Sequence, residues 1–109
     1  MHELGITRSV VAICTERAAG AQVKRVRLEI GSLSAVLPDS VRFCYDICTR
    51  GTLLEGSVLE IIEVAGAAVC RDCGGEVRLS QLFGRCACGG SNLRLVAGEE
   101  LKIKEMEVV

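Results

Sequence analysis

A chain of 109 residues has room for one domain, or for one domain carrying a small insert. A net charge of −1, a sequence pI near 5.8 and the lack of any Lys/Arg run argue against a nucleic-acid binder. No stretch is apolar enough to span a bilayer and no signal-peptide pattern opens the chain, so the expected location is the cytoplasm, with Met1 as first residue.

Half of the residues are hydrophobic, yet there is one Tyr, two Phe and no Trp. The core must come from Val, Ile, Leu and Ala. Seven cysteines, an odd number without a secretory signal, imply reduced thiols and metal sites over disulfides.

In chain order, "LGITRSVVAICTERAAG" carries Ile6, Val10, Ile13 and Cys14 at helical spacing, and Gly20 is placed to close the helix in a left-handed cap. "VKRVRLEIG" alternates Val26, Leu28 and Ile30 with Arg25, Arg27 and Glu29, a strand with one wet face. In "LPDSVRFCYDICTRG", Pro38 suits a first helical position and Asp39 suits the positive end of the helix dipole. Leu37, Val41, Cys44 and Cys48 form one stripe of this second helix, and Gly51 ends it.

"SVLEIIEVAG" reads as a second strand and "EELKIKEMEVV" as a third. The alternation of the third holds for Leu101 and Ile103, then shifts phase to Met106 and Val108, which a bulge near Lys104–Glu105 would explain. Between these strands, from about Gly66 to Val96, the chain turns Gly- and Cys-rich. The expected fold is α+β: two helices packed on a three-stranded sheet, in the order α-β-α-β, zinc insert, β. Residues 1–66 plus 97–109 form the main domain, and 67–96 a small zinc-ribbon-like insert.

The insert holds "CRDCGG" and "RCACGG", with twelve residues between the pairs. Structural zinc favours four thiolates in a closed tetrahedron, so Cys70, Cys73, Cys86 and Cys88 are the candidate ligands. Gly74 and Gly89 follow the two pairs and permit the tight backbone. About thirty residues with so little apolar mass need a metal to fold. The pair Cys86-Ala87-Cys88 is one residue shorter than the usual knuckle. Two glycines after Cys73 argue against a redox Cys-x-x-Cys, which sits at a helix N-terminus. Cys14, Cys44 and Cys48 read as packing residues on helix faces.

The only histidine is His2. It is too bulky to favour removal of the initiator Met. A free amine, the His2 amide and the imidazole then stand in sequence. Amine and amide close a five-membered chelate ring, and amide and Nδ1 close a six-membered one. Three nitrogens lie in one plane with a fourth position open, a geometry suited to Ni(II) or Cu(II). Taken alone, a histidine on a chain terminus is more often a solvated side chain.

"MHELGITRSVV" at the start, "VRLEIGSLSAV" in the first strand, "FCYD" in the second helix, the cysteine insert and "VAGEELKIKEMEV" at the end resemble the hydrogenase nickel-incorporation proteins, the HypA/HybF family. The resemblance covers essentially the whole chain. It implies a nickel metallochaperone without enzymatic activity, which helps insert nickel into the large subunit of [NiFe]-hydrogenases. Its partners would be a nickel-handling maturation GTPase, the large-subunit precursor and, in some organisms, urease maturation proteins. His2 would be the nickel ligand, with the Met1 amine and the chain through Glu3 completing the site. Cys70, Cys73, Cys86 and Cys88 match structural zinc ligands, although the family's second pair is normally Cys-x-x-Cys. The competing reading is a zinc-ribbon adaptor that binds protein without moving nickel. No second histidine and no paired nucleophile and base support an enzyme.

Overall fold

The computed structural model describes residues 2–109, so Met1 and the terminal amine lie outside the described residues. Helix α1 spans His2–Ala18 and buries Thr7, Val10, Val11, Cys14 and Ala18 at three- and four-residue steps, together with Glu3. Thr7 is accommodated in this apolar face because its hydroxyl donates to the Glu3 carbonyl at 2.7 Å. Ile13 departs from the expected stripe. It is one position, about 100° around the helix, from Cys14 and is 41% exposed. Gly20 takes φ +90° after the helix, as the left-handed cap requires.

Strand β1, Val23–Gly31, is central. Val23, Val26, Leu28 and Ile30 are almost fully buried, and Arg25, Arg27 and Glu29 face outward. Helix α2, Pro38–Cys48, begins with Pro38 in the first turn and Leu37 as N-cap. Leu37 is therefore not in the packed stripe: it is 61% exposed. Val41 and Tyr45 are the buried residues of α2, while Cys44 and Cys48 are half-buried at its margin. Tyr45 supplies what the sequence stripe lacked, with its hydroxyl 2.6 Å from Ser57 Oγ. The helix ends at Cys48, where the Thr49 N–H bonds the Tyr45 carbonyl, and Gly51 turns the chain at φ +75°.

Strand β2, Val58–Val64, pairs parallel to β1, so α2 serves as the crossover between them. The last strand of the chain, β6, Leu101–Val108, pairs antiparallel on the other side, giving the order β2-β1-β6. Arg27 faces Glu105 but Leu28 faces Ile103, so Lys104 is the extra residue of a bulge. That bulge returns Met106 to the inner face and accounts for the phase shift in the sequence. On the wet face, Arg25 and Arg27 interleave with Glu60, Glu105 and Glu107 at 2.5–3.2 Å.

The expected insert has a sheet of its own. Strands β3 (Gly66–Cys70), β4 (Glu76–Leu79) and β5 (Leu93–Ala97) form an antiparallel sheet in the order β4-β3-β5. Ala68, Leu79 and Leu33 make its small core, with Leu33 contributed by the loop after β1. The chain leaves the first sheet at Gly66 and returns at Gly98. A Cβ on Gly98 would lie 2.7 Å from the Gly66 Cα, and one on Gly66 would collide with the Leu79 carbonyl oxygen, so both crossing points need glycine.

Candidate metal centres

The four cysteines of the insert meet at one end of the second sheet. Cys70 closes β3 and Cys73 follows in the next turn, while Cys86 and Cys88 lie in the turn before β5. All four sulfurs lie within 4.8 Å of one another. Cys70 Sγ is 3.7 Å from Cys88 Sγ, and Cys73 Sγ is 3.5 Å from Cys86 Sγ. A tetrahedron of thiolates around zinc, with Zn–S near 2.3 Å, has edges of about 3.8 Å. The donor set therefore fits a tetrahedral thiolate-bound ion, and sulfurs this far apart form no disulfide.

The shortened second pair reaches the cluster by a local adjustment. In the first turn the Gly74 N–H bonds the Cys70 carbonyl, four residues back; in the second the Gly89 N–H bonds the Cys86 carbonyl, three back. Gly74 and Gly89 both take positive φ, at 77° and 91°. Beyond that the two turns coincide, since Gly75 N–H donates to Cys73 Sγ and Gly90 N–H to Cys88 Sγ, each at 3.4 Å.

The thiols also perturb one another. The backbone N–H groups of Cys73 and Asp72 lower Cys70 to about 7. At Cys88 the Gly90 N–H favours the thiolate, but the neighbouring Cys86, Cys70 and Cys73 outweigh it and push the group up to about 12. Four thiols this close cannot all ionise without a cation among them, which is a further sign that the cluster suits a metal.

The second candidate centre lies at the start of α1. His2 is the first described residue of that helix, and its imidazole is 63% exposed. The first amide N–H groups of a helix have no partner within it. Glu3, by contrast, is 4% exposed. Its Oε2 stands 3.2 Å from His2 Nε2 and accepts the Leu37 N–H at 3.2 Å. That N–H is the largest cause holding the Glu3 carboxyl below the usual carboxylate range, against the opposing effect of burial. The structure thus brings His2 and Glu3 together, while Met1 lies outside the described residues.

Over residues 1–108 the chain matches the family described as hydrogenase/urease nickel incorporation, metallochaperone, hypA. The chain belongs to this family. A hydrogenase maturation factor HypA from Nostoc punctiforme is 61% identical over 108 residues, with 99% of this chain and 96% of that one covered. One from Geobacter metallireducens is 51% identical over 109 residues, covering 99% of each. The solution structure of the Ni metallochaperone HypA from Helicobacter pylori superposes with a TM-score of 0.67 at 24% identity, over 98% of this chain and 97% of that one. At that identity it speaks for the HypA fold alone.

Glu3, expected beside His2 in this HypA-family chain, also reaches across to the start of α2. Leu37 is an N-cap without a side-chain acceptor, and no side chain of its own loop caps α2. Glu3 accepts the N–H of the N-cap residue itself, a contact that no local sequence pattern marks. Cys14 is buried in the main core, where burial pushes its thiol up, and Cys48 packs at the edge of that core, while Cys44 lines a surface hollow together with Glu3 and Leu37.

Proposed function

We propose that this chain is a nickel metallochaperone that binds Ni(II) at its N-terminus and hands it to the large subunit of a [NiFe]-hydrogenase during maturation. The observation that carries the reading is an exposed imidazole at the open end of α1, beside a buried carboxylate that is anchored to α2. The positive end of a helix opposes a dication. An ionised His2 amide and the Glu3 carboxylate offset it.

Nickel is the cargo, so the site has to release it as well as hold it. The Met1 amine, the His2 amide and Nδ1 would occupy three positions of a plane, with Glu3 completing the site from behind the imidazole, at Nε2. A carboxylate near Nε2 favours the ring proton there and leaves Nδ1 free to ligate. The fourth position, open to solvent, is where a client ligand can enter.

Cys70, Cys73, Cys86 and Cys88 would hold a structural zinc that contributes folding energy to 67–96. This segment would dock the client, and 1–66 plus 97–109 would carry the nickel. Phe83 and Leu82, 88% and 53% exposed on the loop before Cys86, support docking. The partners in this reading are a nickel-handling GTPase and the large-subunit precursor, with urease maturation proteins where urease is served. It works without catalysis, in the cytoplasm; no helix of the described residues is long and apolar enough to cross a membrane.

Nickel titration of the zinc-loaded protein, followed by visible absorption, tests the binding step. The native chain should take up nickel in a planar nitrogen-ligand spectrum, and His2→Ala should not. Replacing Ala67–Leu95 by a short linker should leave nickel binding and abolish hydrogenase maturation. Full maturation by that variant would remove the docking role.

A further inference from the structure

A groove with a volume of 650 Å³ runs along α1 between that helix and the outer strand β6, with His2 at one end and Arg17 at the other. Its walls are apolar, from Ile13 on the helix and from Leu101 and Ile103 on β6. The helix side is low, because a Cβ on Gly5 would meet nothing within 4 Å and Ser9 is small and exposed.

The strand side offers hydrogen bonds as well as surface. β6 is an edge of the sheet β2-β1-β6. The Glu100 carbonyl points inward, accepting the Gly31 N–H at 2.7 Å. Across the trans peptide the Leu101 N–H must point the opposite way, outward. By the alternation of an antiparallel ladder, the main-chain groups of Leu101 and Ile103 face the free edge, and those of Lys102 face β1. Of the three β6 residues that line the groove, Leu101 and Ile103 are the two whose side chains face it and whose backbones are open to a new strand.

Charge narrows the occupant. The charged side chain in the groove wall is Arg17, and no carboxylate lines the groove; Lys102 borders it through its backbone. The Lys102 side chain lies on the other face of the sheet, 3.4 Å from Glu29, and Arg17 forms no ion pair among the described residues.

We propose that the β6 edge and the α1 groove receive an extended segment of the client chain, added as a strand beside Leu101–Ile103, with apolar side chains laid over Ile13 and a carboxylate set toward Arg17. This rests on the nickel-delivery reading and adds, beside the docking of the client by 67–96, a second contact on the nickel-carrying part. Fifteen residues of α1 separate His2 from Arg17, about 22 Å, which an extended segment of about seven residues spans. Strand addition gives affinity through the main chain and selectivity through alternate side chains. A segment bound this way lies against His2, so client binding and the open nickel position become neighbours.

The test measures affinity of the full-length, zinc-loaded protein for purified hydrogenase large-subunit precursor, with nickel titration of every variant. Ser9→Trp fills the groove from an exposed helix position. Leu101→Pro removes the outward N–H at the first residue of the strand, where proline is tolerated. Arg17→Glu reverses the charge. Each should weaken precursor binding at least tenfold while nickel binding stays native. Native affinity in all three overturns the groove and leaves the nickel reading standing. A native protein that binds nickel but no precursor overturns both the groove and the client. If Ser9→Trp instead dissolves a homodimer and leaves precursor binding untouched, the occupant is a second copy and the proposal is wrong.

Discussion

One oxygen of Glu3 serves two neighbours: Oε2 stands 3.2 Å from His2 Nε2 and accepts the Leu37 N–H at the same distance. The carboxylate thereby joins the first turn of α1 to the N-cap of α2 and faces the imidazole proposed to hold nickel. Anchoring of this kind removes freedom from a residue beside a chain terminus, where order is otherwise hardest to keep.

This coupling has a pH signature. A carboxyl held below its usual range stabilises the fold at pH above its unfolded value of about 4.3, and that contribution is lost as pH falls through the folded value. Glu3→Gln should lower the Tm at pH 7. The gap to the native protein should shrink as pH drops from about 5 to about 3. A gap that stays constant over this range would mean that the ionised carboxylate is not what ties the helices.

The cysteine cluster sets the metal content. Purified protein should contain about one zinc per chain, bound through four sulfurs. Cys73→Ser should lower zinc content and loosen the insert. X-ray absorption is the check on the shortened pair. Three sulfurs and one light atom would show that Cys86 or Cys88 is not a ligand.

Helix residues that ligate at neither centre should affect stability alone. Tyr45→Phe removes the bond to Ser57 and should cost about 1 kcal/mol in chemical denaturation. Cys44→Ala, at the half-buried margin of α2, should cost about 1–2 kcal/mol at most. Neither should change nickel uptake; loss of uptake with an intact fold would place that residue in the nickel site.

Much of the fold was legible because period and burial agree. Strand β1 alternates in sequence and in the structure, and the phase slip in "EELKIKEMEVV" marks the bulge at Lys104. Helix faces were read less well. Ile13 and Leu37 are apolar and near the right spacing, yet they lie outside the packed face, and periodicity in a short helix cannot separate positions 100° apart when apolar residues are plentiful. The small sheet of the insert was hidden for another reason: its strands have four or five residues, and its core borrows Leu33 from about 35 residues upstream. The metal centres divide the same way. Cysteine spacing names its ligands directly, whereas the Glu3–Leu37 contact spans 34 residues and leaves no local pattern.

The central claim is that the chain terminus itself chelates nickel, and one added residue tests it. Placing a single residue before Met1 changes no side chain but moves the amine away from the His2 amide and imidazole. The account predicts that nickel affinity of this extended protein falls steeply, to the level of His2→Ala, while zinc content stays native. It predicts as well that native binding weakens with acidity, since amine, amide and imidazole must all give up protons to the metal. Nickel titration of the extended protein beside the native one is the decisive measurement. Equal affinity in the two would take the terminal amine out of the site and contradict the account.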